Sequence, residues 1–338
     1  MHRSCRPLNK KGACGLTHAN PLQSVAAENK SQMPYHYTTR RTLPPATTVP
    51  TFEFYRFRLH FEADDAVRFA SSANVIRGAC GIFLRRTAPP DIYARLFEPG
   101  RDLGPAPSGL SDWPRPFVFR TAGMEALREA SRSFSFALHL FDTRQPLIPY
   151  FETAFARWAA SGIGPARTSA RLLGVEPLGN LYSIALDPAP SPVDAVTLRF
   201  VTPTELKAAG GLAASPEFGI LFARLRDRIA TLRALYGAGP LELNFRGMGE
   251  RAAAIRLVRS DLRWEKAART SSRTGQTHPL GGFTGEADYC GDLREFMPWL
   301  RAARWVGVGR QTVWGKGEIH VVEQAGGSNP MLSSDFKP

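Results

Sequence analysis

Alternating apolar and polar residues mark the first ordered segment of the chain. Residues 52–61 read FEFYRFRLHF, in which the apolar side chains from Tyr55 onward occupy every second position. Arg56, Arg58 and His60 occupy the positions between them. Because successive side chains of a strand point to opposite faces, this pattern predicts a half-buried strand with Tyr55 toward the core and a basic open face.

Apolar periodicity and turn residues predict the elements that follow. The segment 71–86 (SSANVIRGACGIFLRR) predicts a helix with a serine or asparagine cap. Residues 88–116 contain seven prolines and predict a long loop or insertion. Strands are predicted at 116–121 and 132–141, a helix at 148–160, and strands near 168–175 and 180–186.

The stretch ALDPAPSPVD (185–194) predicts a linker, after which the order of elements repeats. The second half is expected to contain strands at 195–201, 252–267, 282–290 and 317–322, with helices at 216–236 and 292–303. Each half thus reads as β-α-β-β with a further helix, so we expect an α+β fold of tandem ferredoxin-like (RRM-like) domains. The expected domains are 51–190 and 191–325, the latter carrying a glycine-rich loop, flanked by tails at 1–50 and 326–338.

The first 50 residues lack apolar periodicity and mix basic residues with prolines and threonines. Two interpretations stay open: a flexible basic arm, or translation from an upstream start codon. The segment has no long apolar run, so a secretory signal is not expected.

Charge favours a polyanionic partner. The chain carries 43 Lys and Arg against 30 Asp and Glu, a formal charge of +13, and 36 of the basic residues are Arg. The planar arginine fork fits phosphate oxygens and stacks on bases, so nucleic acid is favoured over an anionic membrane surface. A GC-rich genome would explain the ratio of Arg to Lys but not the net charge.

Composition excludes several classes of protein. Hydrophobic residues make up 43% of the chain and charged residues 22%, which excludes wholesale disorder. No apolar run reaches the roughly 18–20 residues that cross a bilayer, so a membrane protein is not expected. The four cysteines form no CxxC pair, and no two histidines show HxH or HExxH spacing, so a metal site has little support.

The segment 307–317 (GVGRQTVWGKG) is the most specific local motif. Glycines allow left-handed dihedral angles and close backbone approach, and cations neutralise phosphates. A dinucleotide fingerprint needs GxGxxG between a strand and a helix, whereas this motif follows a predicted helix and leads into a strand. The two cations of this motif are Arg310 and Lys316, so the loop is expected to approach another chain closely and to neutralise its phosphates.

This helix, glycine-rich loop and terminal strand resemble the C-terminal signature of the RAMP superfamily of CRISPR-associated proteins. The preceding GGFTGEADYCGDLREFMPWL (281–300) and the earlier NVIRGACGIFLRR (74–86) resemble the pre-crRNA-processing endoribonucleases, the Cas six family. The resemblance implies a cytoplasmic protein that binds CRISPR repeat RNA, or the mature crRNA, in a basic cleft, alone or with other Cas proteins and away from membranes. It also implies cleavage without a metal or other cofactor, in which a 2′-hydroxyl attacks and leaves a 2′,3′-cyclic phosphate. In that family the glycine-rich loop contacts RNA, a role that carries over to Gly307, Gly309, Gly315 and Gly317, with Arg310 as the basic residue inside the loop and Lys316 as a further candidate.

One departure concerns catalysis. Many members of that family place a histidine in or beside the first helix, and NVIRGACGIFLRR contains none. Our catalytic candidates are therefore His60, which shares its strand face with Arg56 and Arg58, and Arg77 at the first helix. The two neighbouring arginines are expected to bind RNA. An ordinary strand histidine and a structural arginine are the alternatives.

A third catalytic candidate is His278, which lies in the polar segment RTSSRTGQTHPLGG with Arg273 as an RNA-binding candidate. An ordinary exposed loop histidine is the alternative. In the helix at 216–236, Arg224, Arg226 and Arg228 recur at helical spacing, which fits either a solvated face or one that faces RNA.

Three functions remain open at this point. The first is a metal-independent endoribonuclease that matures CRISPR RNA, and the second is a non-catalytic RAMP subunit that holds guide RNA in a larger complex. The third is a general RRM-like binder, which the absence of an RNP1 motif disfavours.

Overall fold

A computed structural model gives the fold of this chain. The described residues all lie in one compact unit, Ala46–Pro338. Both predicted tails lie outside them, apart from residues 49 and 50. Backbone and side chains are described for residues 49–69, 72–100, 110, 112–124, 130–164, 166–208, 211–265 and 281–322, and the backbone alone for 125–126, 268–270 and 277–279.

Five strands of the N-terminal half form one antiparallel sheet in the order β2-β3-β1-β4, with β5 added to the first strand. Two helices, α1 and α4, cover one face of this sheet. The elements are β1 (Thr51–Val67), α1 (Ser72–Thr87), α2 (Pro90–Phe97), β2 (Phe117–Arg120), α3 (Ala122–Ala126), β3 (Ser131–Leu140), α4 (Ile148–Ala160), β4 (Ala170–Pro177) and β5 (Tyr182–Ala185).

The C-terminal half repeats this plan. Its sheet has the order β13-β6-β12-β9, so the first strand again lies between the third and the fourth. This shared order is the split βαβ arrangement, and it confirms the expected α+β fold of tandem ferredoxin-like domains. The elements are β6 (Ala195–Thr204), β7 (Lys207–Ala208), β8 (Gly211–Leu212), α5 (Phe218–Tyr236), α6 (Phe245–Ala253), β9 (Arg256–Glu265), β10 (Ala268–Thr270), β11 (Thr277–Pro279), β12 (Gly282–Cys290), α7 (Met297–Val306) and β13 (Ile319–Val322).

The division into domains at residue 190 stays a prediction, because one hydrophobic core takes residues from both halves. Phe52, Phe54 and Val118 of the first half pack with Leu198 and Trp299 of the second. None of the helices in the described residues is long and apolar enough to cross a membrane.

Strand β1 changes its buried face partway along. Phe52 and Phe54 are buried in the core shared with the second half, whereas Phe57, Leu59 and Phe61 are buried under the helices of the first half. The alternation expected from the sequence therefore holds only from residue 57 onward. Tyr55, expected in the core, lies half-buried at the change of face.

Two expectations for secondary structure are wrong. The segment 88–116 contains helix α2, because Pro90 at its start fixes a helical φ and Ile92 and Leu96 give it a buried face one turn apart. Helix α7 begins at Met297 rather than at 292, with Pro298 in its first turn. Helix α6 was not expected from the sequence; the Asn244 side chain caps it by accepting a hydrogen bond from the Gly247 amide.

The C-terminal end of α7 joins the two halves. Its last carbonyl groups have no partner within the helix and carry partial negative charge. Arg120 of β2 donates from Nη2 to the carbonyl oxygens of Arg304 (2.7 Å) and Trp305 (3.2 Å). His139 of β3 donates from Nδ1 to the Trp305 oxygen (3.0 Å). A further donor is Arg228 of α5, whose Nε donates to the Val306 oxygen (3.1 Å).

His139 is neutral at this junction, and Trp305 stacks on an arginine there. Burial, together with the nearby Arg120 guanidinium, lowers the pKa of His139 to about 3, so this histidine is neutral in the folded protein. The indole of Trp305 stacks under Arg56, with the guanidinium carbon 4.3 Å from a ring centroid. Contacts from three strands and a helix therefore fix the end of α7.

The buried His139 predicts a loss of stability in mild acid. In the unfolded chain His139 binds a proton when the pH falls below its ordinary pKa of about 6.5. In the folded chain it stays neutral down to a pH of about 3. The free energy of unfolding therefore rises with pH between about 3 and 6.5. From pH 7 to pH 5 this group should lower the free energy of unfolding by about 2 kcal/mol. Urea unfolding at both pH values measures the loss.

The matched pair of variants is His139→Gln and His60→Gln, the latter at a half-exposed ring. The His139 variant should lose most of the decline between pH 7 and pH 5, whereas the His60 variant should keep it. An unchanged decline in both variants would contradict the assignment.

Candidate functional site

The glycine-rich loop 307–317 is shaped by left-handed backbone conformations. All four of its glycines have positive φ, between 70° and 82°. Gln311 also has a positive φ (63°) and precedes a short 3₁₀ helix, Thr312–Trp314. A Cβ atom on Gly317 would lie 2.0 Å from the Val308 carbonyl oxygen, and one on Gly309 would lie 2.3 Å from the Glu205 oxygen. The glycines thus permit the loop to pack closely on its own backbone at Val308 and on the backbone of Glu205.

Glu205 anchors the loop from the end of β6. Its carbonyl oxygen accepts from the Arg310 amide (2.9 Å), and its carboxylate, only 1% exposed, pairs with the Arg310 guanidinium. The Val308 amide donates to the Gly317 oxygen (2.8 Å), which ties the two arms of the loop together. The loop is therefore preformed, and Arg310 is held in one place.

Lys316 points inward from this loop. It is 8% exposed, and its Nζ has no hydrogen-bond partner among the described residues. Burial lowers its pKa to about 8, against the opposing effect of Glu205 and Glu265. The predicted RNA contact of Lys316 stays a prediction, and reaching RNA would require its side chain to leave this enclosure.

A cavity of about 330 Å³ opens beside the loop, and we call it the basic cavity. It lies between α1, the segment before β2, helix α5 and the glycine-rich loop. Six of its lining residues are cations, whereas Asp112 is the one acidic residue among the described residues of the lining. The lining comprises Arg77, Leu110, Asp112, Trp113, Pro114, Arg115, Lys207, Arg224, Arg228, Gly309, Arg310, Gln311, Thr312, Val313 and Trp314.

Arg228 forms the most buried cationic part of this lining. It is 5% exposed, and although Nε caps α7, its Nη2 has no hydrogen-bond partner in the described part of the chain. Burial and the nearby Arg120 lower its pKa to about 9. A buried guanidinium that lines a cavity, with one donor and no carboxylate paired to it among the described residues, favours an anion as the ligand, which its side chain would have to shift to meet.

Arg77 lies across the cavity on helix α1. Its guanidinium carbon lies 4.8 Å from the centroid of the Trp314 ring, in a cation–π contact. Gly315 brings the loop to the start of the same helix, since a Cβ there would lie 3.0 Å from that of Ala73. The structure thus brings together Arg77, Gly309 and Arg310, three residues selected from the sequence, in one wall of positive charge.

His60 and its strand neighbours do not join this group. The His60 Nε2 lies 2.9 Å from the Glu176 carboxylate on the open face of the first sheet, and Arg58 is exposed beside it. Arg56 instead packs on Trp305 in the junction. Arg56 therefore lies in different surroundings from Arg58 and His60, and the catalytic role of His60 and the RNA contacts of the two arginines stay predictions.

The other sequence candidates are only partly placed. His278 lies on β11, opposite Arg269 of β10, and its side chain is outside the described residues, as is all of Arg273. Whether they act on RNA stays a prediction, as do the RNA contacts of the four loop glycines. In the described part of the chain, no group of three or more His, Cys, Asp or Glu is arranged to hold a metal ion.

Sequence reasoning missed Arg115, Lys207, Trp113 and Trp314, whose positions depend on tertiary packing. One signal was available for Arg228. It follows Leu221 and Leu225 on the apolar side of α5. A charged residue is unusual on a buried helix face, so its presence there indicates a role other than solvation. The RNA-facing alternative for this helix is favoured by Arg224 and Arg228, whereas Arg226 pairs with Asp227 outside the cavity.

The loop geometry predicts unequal effects of two alanine substitutions. Gly317→Ala combines a left-handed conformation with a backbone clash, so it should lower the free energy of unfolding by at least ~2 kcal/mol. Gly164→Ala is the matched control, with φ +69° and no atom within 4 Å of the added Cβ, and should lower it by about 1 kcal/mol. Chemical denaturation measures both, and equal losses would show that the close packing of the loop is unimportant.

Family comparisons agree with the two-part fold. Residues 198–319 match the family model of the CRISPR-associated endoribonuclease Cas6. Residues 52–187 match a second model, described as an N-terminal domain. The comparison with curated protein sequences gives no significant match.

Solved structures of Cas6 proteins share the fold. The product complex of Cas6 (TTHB231) has a TM-score of 0.53 and 19% identity, covering 80% of this chain and 100% of that one. Thermus thermophilus Cas6 (TTHB231) has a TM-score of 0.50 and 18% identity, covering 81% and 100%. A partial Cas6-RT-Cas1–Cas2 complex has a TM-score of 0.51 and 12% identity, covering 83% of this chain and 48% of that one. The second half of the chain thus matches the Cas6 family of CRISPR-associated endoribonucleases, and both halves share the fold of solved Cas6 structures.

Proposed function

We propose that this protein binds CRISPR repeat RNA and cuts it to release crRNA, using the basic cavity and the glycine-rich loop as its active site. The observation that carries this proposal is the excess of positive charge around the cavity. Its lining has six cationic side chains and, among the described residues, only the carboxylate of Asp112. RNA supplies the missing negative charge. The match of the second half to the Cas6 family model and the complexes named for the similar structures support RNA as the substrate and other Cas proteins as partners.

The proposed reaction needs no metal. The 2′-oxygen of the nucleotide before the scissile phosphate bonds to phosphorus, the bond from phosphorus to the 5′-oxygen breaks, and a 2′,3′-cyclic phosphate remains. The proton of the 2′-hydroxyl is lost as that bond forms, and the leaving 5′-oxygen gains a proton. Extra negative charge develops on the phosphate oxygens, so fixed cations stabilise the transition state more than the substrate.

Arg77 and Arg310 are the residues we assign to that charge. Arg77 is held on a helix by stacking on Trp314, and Arg310 is held by the buried Glu205 carboxylate, so neither has to be ordered during the reaction. Two arginines on opposite elements of one cavity can contact two phosphate oxygens. This arrangement supports catalysis by electrostatic stabilisation, without a histidine on α1.

A second function, as a non-catalytic subunit that holds guide RNA, is favoured by one specific observation. No histidine lies on α1 or among the described residues that line the basic cavity. The same cations would then bind RNA without cutting it. Cleavage itself decides between the two functions.

Cleavage of the host's CRISPR repeat RNA in EDTA tests this proposal. We expect one cut with a cyclic phosphate end, slowed at least ~100-fold by Arg77→Ala, which removes a fixed positive charge from the transition state. The control is Arg246→Ala on α6, at a side chain that is 91% exposed and outside the cavity, which should cut normally. Tight binding of intact RNA would transfer the assignment to the non-catalytic function, and equal rates for both variants would exclude Arg77.

A further inference from the structure

We propose that the basic cavity takes in one unpaired nucleotide of the bound RNA strand, with its phosphate at Arg228 and Arg224 and its base against the indoles of Trp113 and Trp314. This inference rests on the proposed RNA-binding function and adds a specificity element to it. It requires an RNA in which one nucleotide can leave the base stack.

Burial divides the cavity into a deep end and a mouth. Arg228 is buried and Arg224 half-buried on α5, whereas Lys207, Arg310 and Asp112 are exposed. A phosphate contacted only by the exposed residues would leave Nη2 of Arg228 without a partner among the described residues. Because an uncompensated buried charge is strongly unfavourable, the ligand that fits this site brings an anion to the deep end.

Size and aromatic lining identify the rest of the ligand. At about 330 Å³ the cavity lies near the lower limit of small-ligand sites, which span roughly 300–1,000 Å³. It is too small for a helical stem but large enough for a single nucleotide. The half-buried Trp113 and Trp314 line it, and single-stranded RNA is recognised by stacking of unstacked bases on aromatic rings or arginine planes.

The contact of Arg77 with Trp314 adds to this binding surface. The guanidinium lies over one ring of the indole, so the two groups form a stacked pair at the wall of the cavity. A base that enters can stack on either group. Because the same arginine is the one assigned to transition-state charge, insertion of a nucleotide beside it would couple binding to cleavage.

Abasic substitution, one position at a time, tests the proposal by binding alone. The probe is the host's CRISPR repeat RNA lacking the base at a single unpaired position, with 2′-deoxyribose at the cut position if the wild-type protein cuts it. We expect one position at which loss of the base weakens binding about tenfold, the effect of losing one aromatic–base stack. Because cleavage is not the readout, this result is independent of whether the protein is an endoribonuclease.

The protein variants complete a double-mutant cycle. In Trp314→Ala and Trp113→Ala, intact RNA should bind about tenfold more weakly, and removal of the sensitive base should then have little additional effect. Trp314→Phe should restore sensitivity to that base. Trp264→Ala is the matched control, at a tryptophan that is 41% exposed on β9 and outside the cavity, and it should behave as wild type.

Three outcomes would overturn the proposal. The first is that removing the base has an equal effect at all unpaired positions. The second is that a sensitive position stays equally sensitive in both cavity variants. The third is that uridine or adenosine monophosphate displaces the RNA at a comparable concentration. The last would identify the cavity as a site for free nucleotides. Failure of RNA binding altogether would instead contradict the proposed function.

Discussion

The end of helix α7 is the constraint on which the rest of the structure depends. Its terminal carbonyl groups accept hydrogen bonds from Arg120 and His139 of the first half and from Arg228 of the second. A helix end buried without such donors would be strongly unfavourable. The donors that the first half supplies to this helix end therefore stabilise the packing of the two sheets, together with the core that both halves share.

This junction also sets the position of the proposed active site. The glycine-rich loop begins at the residue after α7, so fixing the helix end fixes where the loop starts. Arg228 contributes to both, since Nε caps the helix and Nη2 has no described partner beside the basic cavity. Stability and the proposed anion binding are thus linked through one side chain, whose buried positive charge RNA binding would compensate.

Local sequence patterns predicted much of the fold. The helix Ile148–Ala160 and the strand Gly282–Cys290 lie where periodicity placed them, because each has a clear apolar face and turn residues at its ends. The pattern at Arg56 misled because its strand packs against different partners at its two ends, which no local alternation reveals. Helix α2 was missed because prolines were interpreted as loop residues, although proline is favourable in a first helical turn.

The candidate site was less predictable, for the same physical reason. Gly309 and Arg310 could be selected because a glycine-rich motif is local. The partners that make them a site come from α1, α5 and the segment before β2, which meet only in the folded chain. An arginine on the apolar side of α5 was the one signal that pointed to the deep end of the cavity.

The most direct test of this account is a structure of the protein bound to its host's CRISPR repeat RNA, made uncleavable by a 2′-deoxy substitution at the cut position. The account predicts a phosphate oxygen within hydrogen-bonding distance of the Arg228 guanidinium, with one base out of the stack beside Trp113 and Trp314. RNA bound across the open face of the first sheet at His60, with the basic cavity empty, would contradict it.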